Sequence, residues 1–348
     1  MAYTTINKAT DYFNTKLYTG NGSTQSINVG FEPSLTWIKT RSGSTGTEGH
    51  RLQDAVRGST KYLESNGTAL EGTQAQGVTS FTSTGFNLGT DGSYNYNTAP
   101  IVSWNWKAGT TSGIVQGGAS ITPSAYSFNQ TSGFSIIKYQ GTGANATVPH
   151  GLNAVPTMIL FKSLANSISW IVYSSQLNIS SSNCLRLNGT NAAFTESAWN
   201  GTRPTTSVFS LGTHNEANNS SGETIAYCFA EKQGYSKFGS YTGNGSTDGT
   251  FVYTGFKPAF VIVKRTSNTD NWEMWDNKRN TFNATVNTLR PNTSEVENTS
   301  AYPIDFLSNG FKNYGVSGHQ NTSGNNYIYM AFAEAPLVGT NNVPCTAR

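Results

Sequence analysis

The chain has 348 residues, and only 12% of them are charged, whereas about 25% is usual in globular domains. The formal net charge is +3 and the basic residues stand singly, which excludes the clustered basic surface of a nucleic-acid-binding protein. No apolar run approaches the roughly 18 residues of a membrane span. Glycine (36 residues), Asn, Ser, Thr and 12% aromatics favour short strands and tight turns over long helices.

A segment near the start of the chain recurs further on. Residues 18–24 are repeated unchanged at residues 241–247, and a weaker copy begins at Tyr139. After each copy, a proline opens an apolar strand that ends in a lysine six positions later: Pro33 and Lys39, Pro156 and Lys162, Pro258 and Lys264.

The spacing continues downstream of each lysine. An aromatic residue follows 47 positions after the lysine, and a second one ends the last strand 20 or 21 positions later. These aromatic pairs are Phe86 and Trp106, Phe209 and Phe229, and Phe311 and Phe332. The repeated register predicts three copies of one module over residues 1–112, 113–233 and 234–348, called repeats 1, 2 and 3 below.

Local patterns within each copy predict antiparallel sandwiches. Turn signals such as Ser-Gly and Asn-Gly break the chain every 8–12 residues, and continuous apolar runs such as residues 157–161 indicate strands covered on both faces. We therefore predict an all-β protein of three tandem antiparallel β-sandwich modules of the jelly-roll type. The stretch 50–65 is also compatible with one short helix.

The joints between modules and the core can be predicted too. Residues 109–113 form a flexible joint by composition, whereas residues 231–234 form a short one, so repeats 2 and 3 are expected to be the more rigidly coupled pair. Matching slots in the repeats predict a core that includes Trp37, Phe86, Trp106, Phe161, Phe209, Phe229, Ile262, Phe311 and Phe332.

The search for chemistry predicts no catalytic residues and hence no enzyme. The four histidines occupy unrelated places in the repeats, and each is interpreted as an exposed or locally bonded loop side chain. A sandwich glucanase needs two carboxylates on one strand face. Glu295 and Glu297 have that spacing, but they lie in a polar stretch without a counterpart in the other repeats, which favours a solvated loop.

No cofactor and no metal site are predicted either. Weak calcium candidates at residues 268–271 and Asp248 lack the density of acids that a tight site requires. Lys39, Lys162 and Lys264 are interpreted as edge charges that discourage strand mispairing.

Aromatic residues in polar loops give the best candidate site. Tyr94 and Tyr96 lie among Asp, Asn and Gly, and Trp199 lies between Ser-Ala and Asn-Gly. Because sugar rings stack on aromatic faces while Asn and Asp bind their hydroxyls, we predict these three residues as carbohydrate-binding. The alternative is that the rings fold over the end of a sandwich or pack against a neighbouring subunit.

The chain resembles a family of virion proteins of marine tailed phages. The likeness includes the Met-Ala-Tyr-Thr-Thr-Ile segment at residues 1–6, the Tyr-Thr-Gly-Asn-Gly repeats at Tyr18 and Tyr241, and the Leu-Gln-Asp-Ala-Val-Arg-Gly segment at residues 52–58. The resemblance implies concanavalin-A-like lectin/glucanase sandwich modules in tail fibres or virion decorations, and it supplies no functional residues. The acid motif of a glucanase is absent from the sequence.

Three functions from different classes follow. The first is a structural and adhesive protein of the virion exterior (a tail fibre, head fibre or capsid decoration) that contributes to host-surface attachment. The alternatives are a dedicated carbohydrate-binding module and a polysaccharide depolymerase. The expected partners are other virion proteins, further copies of the chain in a homotrimer or lattice, and host surface glycans, with no nucleic acid and no membrane insertion. Repeat 1 is the expected anchor, with repeats 2 and 3 projecting outward.

Overall fold

The computed structural model describes residues 3–42, 48–300, 302–340 and 343–346. Within these residues the chain forms antiparallel sheets, with a 3-10 helix at Ala9–Asp11 and two single-turn helices, α1 at Gly92–Asn95 and α2 at Asn215–Asn218. The all-β prediction is confirmed. The stretch 50–65 contains two strands and no helix. Asp54 turns the chain there, because its Oδ1 accepts hydrogen bonds from the amides of Val56 and Arg57.

The described residues of repeat 1 form nine strands. They are β1 (Phe13–Thr19), β2 (Gln25–Asn28), β3 (Leu35–Thr40), β4 (Arg51–Asp54), β5 (Lys61–Tyr62), β6 (Gly72–Thr73), β7 (Val78–Thr82), β8 (Gly85–Leu88) and β9 (Pro100–Trp106). The inner sheet has the order β1-β9-β3-β4 and the outer sheet the order β2-β8-β7. Phe86 and Leu88 of the outer sheet pack against Ile38 and Ile101 of the inner sheet, which makes the repeat a sandwich.

Repeats 2 and 3 use the same plan. The strands of repeat 2 are β10 (Ala125–Asn129), β11 (Phe134–Gln140), β12 (Ala146–Pro149), β13 (Met158–Ser163), β14 (Ile171–Ser174), β15 (Asn183–Arg186), β16 (Phe194–Thr195), β17 (Val208–Leu211) and β18 (Glu223–Phe229). Those of repeat 3 are β19 (Ser236–Thr242), β20 (Asp248–Tyr253), β21 (Phe256–Arg265), β22 (Trp272–Asp276), β23 (Ile304–Leu307), β24 (Gly310–Tyr314) and β25 (Asn326–Pro336). The inner sheets run β10-β11-β18-β13-β14-β15-β16 and β19-β25-β21-β22, and the outer sheets are β12-β17 and β20-β24-β23.

The strand register is the same in the three inner sheets. Lys39, Lys162 and Lys264 lie opposite Val102, Ile225 and Ile328, respectively. Each of these partners precedes the last aromatic of its repeat by four positions. A slip of one residue would turn every side chain of a strand to the opposite face of the sheet. Because the register is the same, equivalent residues of the three repeats face the same side of their sheets.

The three repeats share one centre. Trp106, Phe229 and Phe332 close their sheets at equivalent positions, and their rings contact one another with centroids 5.7 to 6.4 Å apart. One cluster of buried residues continues through all three repeats, and each of the nine predicted core residues is buried. The prediction that repeats 2 and 3 project outward from repeat 1 is therefore wrong.

The first joint is also less free than its composition indicates. Thr110 and Phe128 exchange two backbone hydrogen bonds of 2.9 and 3.0 Å, and the amide of Gly109 donates to the Ser127 hydroxyl at 2.9 Å. These bonds attach the joint to the first strand of repeat 2, so it cannot act as a free linker.

The buried lysines bind each repeat to the one before it. Lys162 Nζ of repeat 2 donates to the Thr68 carbonyl of repeat 1 at 3.1 Å. In the same way, Lys264 Nζ of repeat 3 donates to the Thr190 carbonyl of repeat 2 at 3.1 Å. Lys39 belongs to the first repeat, and its Nζ donates to the carbonyl of Ser294 in the last repeat at 3.2 Å. The three repeats therefore form a closed ring.

The interpretation of these lysines as edge charges is wrong. Lys39 lies on β3, Lys162 on β13 and Lys264 on β21. Each of these strands pairs with a strand on both sides, and each lysine is at most 1% exposed. Burial lowers the pKa of Lys39, Lys162 and Lys264 to about 8 in each case. The ammonium groups remain bound because backbone carbonyls replace the lost water.

The loops that reach across the ring are equivalent in detail. They come after the equivalent strands β4, β14 and β22 in the chain and cover residues 64–71, 186–193 and 290–297, the second beginning at the last residue of β15. We call them the bridging loops. The last residue of each loop donates its amide to the next repeat: Glu71 to Leu164, Ala193 to Thr266 and Glu297 to Arg41. The first residue of each of two loops accepts from an indole N–H, Glu64 from Trp170 and Arg186 from Trp272.

Candidate functional site

The structure buries two of the three residues predicted to bind carbohydrate. Tyr94 and Trp199 are each 1% exposed, whereas Tyr96 is 38% exposed. A buried ring offers no face to a sugar, so the prediction that Tyr94 and Trp199 are exposed loop aromatics is wrong. The alternative, that the rings fold over the sandwich, describes both residues.

Specific contacts hold these two rings inside. The Trp199 ring lies 5.3 Å from Phe161 and 5.5 Å from Tyr173, and its Nε1 donates to the Asn183 carbonyl at 3.1 Å. The Tyr94 hydroxyl hydrogen-bonds the Gln53 side chain inside repeat 1. Their polar sequence neighbours are exposed, but the rings themselves complete the sandwich core.

Exposed aromatics lie instead on the outer sheet of repeat 3. Phe251 is 44% exposed and Tyr253 is 50% exposed, while Val252 between them is 6% exposed. Alternation along β20 turns both rings to solvent and the valine to the core. Phe251 and Tyr253 therefore stand two positions apart on one open face.

The neighbouring strands extend this face. Phe251 of β20 lies opposite Lys312 of β24, which lies opposite Asp305 of β23. Tyr253 lies opposite Gly310, so no side chain covers its ring from that side. We call this surface the outer platform.

Polar contacts fix the charged side of the outer platform. The Tyr314 hydroxyl donates to Asp305 Oδ2 at 2.8 Å, and that hydrogen bond raises the pKa of Tyr314. Lys312 forms an ion pair with Asp248, which raises the pKa of the lysine, and its Nζ lies 5.4 Å from the centre of the Tyr314 ring. The platform thus joins two exposed rings to an ordered set of hydrogen-bonding groups.

The N-terminal segment supports the other end of the outer platform. The hydroxyl of Tyr3 donates to the carbonyl of Gly255 at 2.7 Å, next to Tyr253. Burial raises the pKa of Tyr3, and its hydrogen bond with the Tyr253 hydroxyl raises it further. Tyr253 is therefore held at its hydroxyl while its ring stays half exposed.

The other two repeats show what the fold alone requires at these positions. In repeat 1 the row equivalent to Phe251, Lys312 and Asp305 consists of Ser26, Asn87 and Ser80, and in repeat 2 its first two positions are Thr147 and Ser210. The position of Tyr253 is held by Asn28 and Pro149. Uncharged, non-aromatic residues therefore suffice at these outer-sheet positions, and among the three repeats only repeat 3 has aromatic and charged residues there.

A buried ionic cluster is the other chemically unusual place. Burial raises the pKa of Glu273 to about 7, although Arg290 Nε donates to its Oε1 at 2.7 Å. The equivalent positions in repeat 1 hold the same pair with reversed charges, Arg51 on β4 and Glu64 in the bridging loop. Because the pair recurs with its charges exchanged, it attaches a bridging loop to its own sheet, and a structural role accounts for it.

The two acids with glucanase-like spacing differ in their surroundings. The Glu295 side chain is 62% exposed, whereas that of Glu297 is 5% exposed and accepts from Arg41 at 2.7 Å and Arg279 at 3.1 Å. They belong to a bridging loop and to no strand. The solvated-loop interpretation holds for Glu295 only, since Glu297 is a buried ion-pair partner at the closure of the ring.

The acids considered for calcium are engaged with basic side chains. Asp248 pairs with Lys312, and Asp270 pairs with His319 at 2.5 Å and with Arg265 at 3.6 Å. In the described ranges, no group of three or more His, Cys, Asp or Glu residues could hold a metal ion. No helix in the same ranges is long and apolar enough to cross a membrane.

Comparison with known proteins gave one match. A family model described as a domain of unknown function (DUF7483) matches residues 8–336, from the 3-10 helix region to the end of β25. The matched region contains every strand given above for the three repeats. The searches of curated proteins and of solved structures found no match.

Proposed function

The chain belongs to the DUF7483 family, and we propose that it is a structural and adhesive protein of the exterior of a tailed-phage virion, where the outer platform contributes to attachment to the host surface. The virion assignment rests on the sequence resemblance described above. The adhesive role rests on the outer platform. The ring supplies the rigid body that carries it.

The exposed pair Phe251 and Tyr253 is the observation that carries the adhesive role. Aromatic rings at 44% and 50% exposure leave apolar area in contact with water, which is unfavourable. The equivalent positions of repeats 1 and 2 hold no aromatic residue. Stacking against the apolar face of a sugar would cover that area. The neighbouring side chains of Lys312 and Asp305 supply hydrogen-bonding groups for the sugar hydroxyls. Host surface glycans are the partners that this chemistry fits.

The ring geometry suits display in many copies. One shared core gives a single body in which the outer platform has a fixed orientation. A virion carries its surface proteins in symmetric sets, and linked copies convert a weak contact at each platform into strong attachment. A tail fibre, a head fibre and a capsid decoration all meet this condition.

A dedicated carbohydrate-binding module is the second candidate, because the same platform would serve it. The two functions differ in location, since only the first requires the chain on the particle. A polysaccharide depolymerase would in addition release new reducing ends from the glycan.

Labelling and adsorption experiments test the proposal. Antibodies against the purified chain are expected to label the surface of intact particles of the phage that encodes it. The purified chain is expected to slow adsorption of those particles to host cells, whereas the variant Phe251→Ser/Tyr253→Asn, which copies repeat 1, does not. Unlabelled particles would contradict the virion role, and equal inhibition by the variant would contradict the role of the platform.

A further inference from the structure

A groove separates repeats 2 and 3 on the side where β19 ends and β25 begins. Its volume is about 690 Å³, within the range of about 300–1,000 Å³ that is usual for ligand sites. The described residues that line it include no charged side chain. The polar side chains are amides and hydroxyls, chiefly those of Gln176, Asn178, Asn183, Ser240, Thr242 and Asn326. We call it the amide groove.

The equivalent groove between repeats 1 and 2 has different chemistry. Its volume is about 530 Å³, and its lining includes Arg57, Lys61, Glu71, Lys138 and Glu223. These charges satisfy one another, since Lys138 pairs with Glu223 at 2.9 Å and Arg57 with Glu71 at 3.4 Å.

The strand register shows that uncharged residues of the amide groove take the positions of the charged residues of the first groove. Lys138 lies opposite Ile225, and Ser240 lies opposite Ile328 at the same place in repeat 3. In the same way, Asn326 takes the place of Glu223. Glu223 lies opposite the last residue of β11, and Asn326 lies opposite the last residue of β19, which is the equivalent strand of repeat 3. One salt bridge is thereby replaced by a hydroxyl and an amide.

The far wall of the amide groove has changed in the same direction. Ser174 and Leu177 of repeat 2 take the places of Asp54 and Arg57 of repeat 1, and Ala193 takes the place of Glu71. Both walls are therefore neutral, although the hydrogen bonds of the bridging loop with the buried lysine and with the indole are kept across this interface.

Several polar groups of the amide groove have hydrogen-bonding capacity to spare. Asn326 Oδ1 accepts from Thr242 at 3.1 Å, and Asn183 Oδ1 accepts from Thr195 at 3.0 Å. Within the described part of the chain, the Nδ2 groups of Asn326 and Asn183 donate to nothing, and Asn178 Oδ1 accepts nothing. When a ligand hydroxyl binds such a group, it displaces only water and breaks no hydrogen bond within the protein.

We propose that the amide groove is a binding site for a neutral saccharide. Hydroxyl groups both donate and accept, so they match a lining of spare amide N–H groups, amide oxygens and side-chain hydroxyls. A charged ligand would find no counter-ion there and would lose its hydration without compensation. This site is separate from the outer platform and does not depend on it.

Titration calorimetry with a panel of neutral hexasaccharides, made of glucose, galactose or mannose, and one anionic hexagalacturonate tests the site on the full chain. The variant Ser240→Lys/Asn326→Glu restores the ion pair of the first groove and fills the site. The matched control is Lys138→Ser/Glu223→Asn, which removes that pair from the first groove. The platform variant Phe251→Ser/Tyr253→Asn separates the two sites, and thermal unfolding checks that each variant is folded.

The expected result is binding of at least one neutral hexasaccharide, with affinity reduced at least tenfold in Ser240→Lys/Asn326→Glu and unchanged in the control and the platform variant. Because a charged pair could disturb the fold, Asn326→Ala is the second test, with an expected loss of about threefold to tenfold. Absence of binding across the neutral panel, or binding that both groove variants retain, would overturn the proposal. Loss in the platform variant alone would also overturn it and would assign the sugar to the outer platform.

Discussion

Lys39 Nζ donates a hydrogen bond of 3.2 Å to the carbonyl of Ser294, which lies 255 positions later in the chain. This bond joins the first repeat to the last, and the equivalent bonds of Lys162 and Lys264 join the other neighbours. The stability of each repeat therefore depends on the bridging loop of another. The outer platform keeps its geometry because the ring behind it is closed.

Replacing a buried lysine should destabilise the ring. Lys264→Met keeps the length of the side chain but removes the Nζ donor from the carbonyls of Thr190 and Asp270, and the Thr190 carbonyl keeps only the Asp270 amide. We expect the free energy of unfolding to fall by about 1–3 kcal/mol. Urea denaturation measures it, and the exposed Lys278→Met is the control, with an expected change within about 0.5 kcal/mol. Equal stability of the two variants would contradict the role given to the lysine.

The same lysine predicts a pH dependence. Its pKa falls from 10.5 in the unfolded chain to about 8 in the folded one, so between these values the unfolded chain holds more protons. Stability contributed by this group therefore rises as the pH increases from about 8 to 10.5 and is constant below that window. The difference in unfolding free energy between the native chain and Lys264→Met should widen between pH 8 and pH 10. A constant difference would contradict the lowered pKa.

The interface of repeats 3 and 1 contains a buried ion pair that can be dissected. Asp276 accepts from Arg279 at 2.5 Å and from Trp104 Nε1 at 3.1 Å, and the side chains of both ions are fully buried. Asp276→Ser removes the nearer of the two carboxylates that Arg279 contacts, leaves Glu297 at 3.1 Å as the other, and should cost about 3–5 kcal/mol.

A double variant supplies the matched comparison. Asp276→Ser/Arg279→Leu copies the residues Ser174 and Leu177 that repeat 2 uses at these positions. Because the buried guanidinium that lost its nearer carboxylate is also removed, it should be more stable than Asp276→Ser by at least about 1 kcal/mol. Chemical denaturation measures the free energy of unfolding of the two variants. A double variant less stable than the single one would contradict the account.

The aromatic triangle predicts that the three repeats unfold together. Phe332→Ala removes a ring that contacts Trp106 and Phe229 of the other two repeats and should cost about 3–5 kcal/mol. Since the core is shared, calorimetry of the native chain and of the variant should each show one transition. A variant in which only repeat 3 melts early would contradict the shared core.

The repeats, their register and their core could be predicted from sequence, because the same spacing of proline, lysine and aromatic residues in the three repeats indicates equivalent strands. The ring could not, because nothing local indicates that the carbonyls of Thr68, Thr190 and Ser294 meet lysines of other repeats. The lysines looked like edge charges since a lysine that ends an apolar strand usually is one. Their burial depends on loops that are distant in sequence.

The candidate site was missed for a similar reason. Tyr94 and Trp199 lie among polar residues, but sequence neighbours do not report on rings that fold inward. Phe251 and Tyr253 lie in a strand, where alternating aromatics are usually taken as core. Setting their positions beside Ser26 and Thr147 of the other repeats would have shown that this strand face is the exposed one.

The binding of host-surface polysaccharide by the purified chain tests the central claim most directly, namely that the outer platform of repeat 3 is an attachment site. Biolayer interferometry should show binding that weakens at least tenfold in Phe251→Ser/Tyr253→Asn, while Ser26→Ala/Asn28→Ala on the equivalent face of repeat 1 leaves it unchanged. Thermal unfolding should show one folded state for all three proteins, since the exchanged side chains are exposed and none belongs to the shared core. Undiminished binding by the platform variant, or no binding by the native chain, would contradict the account.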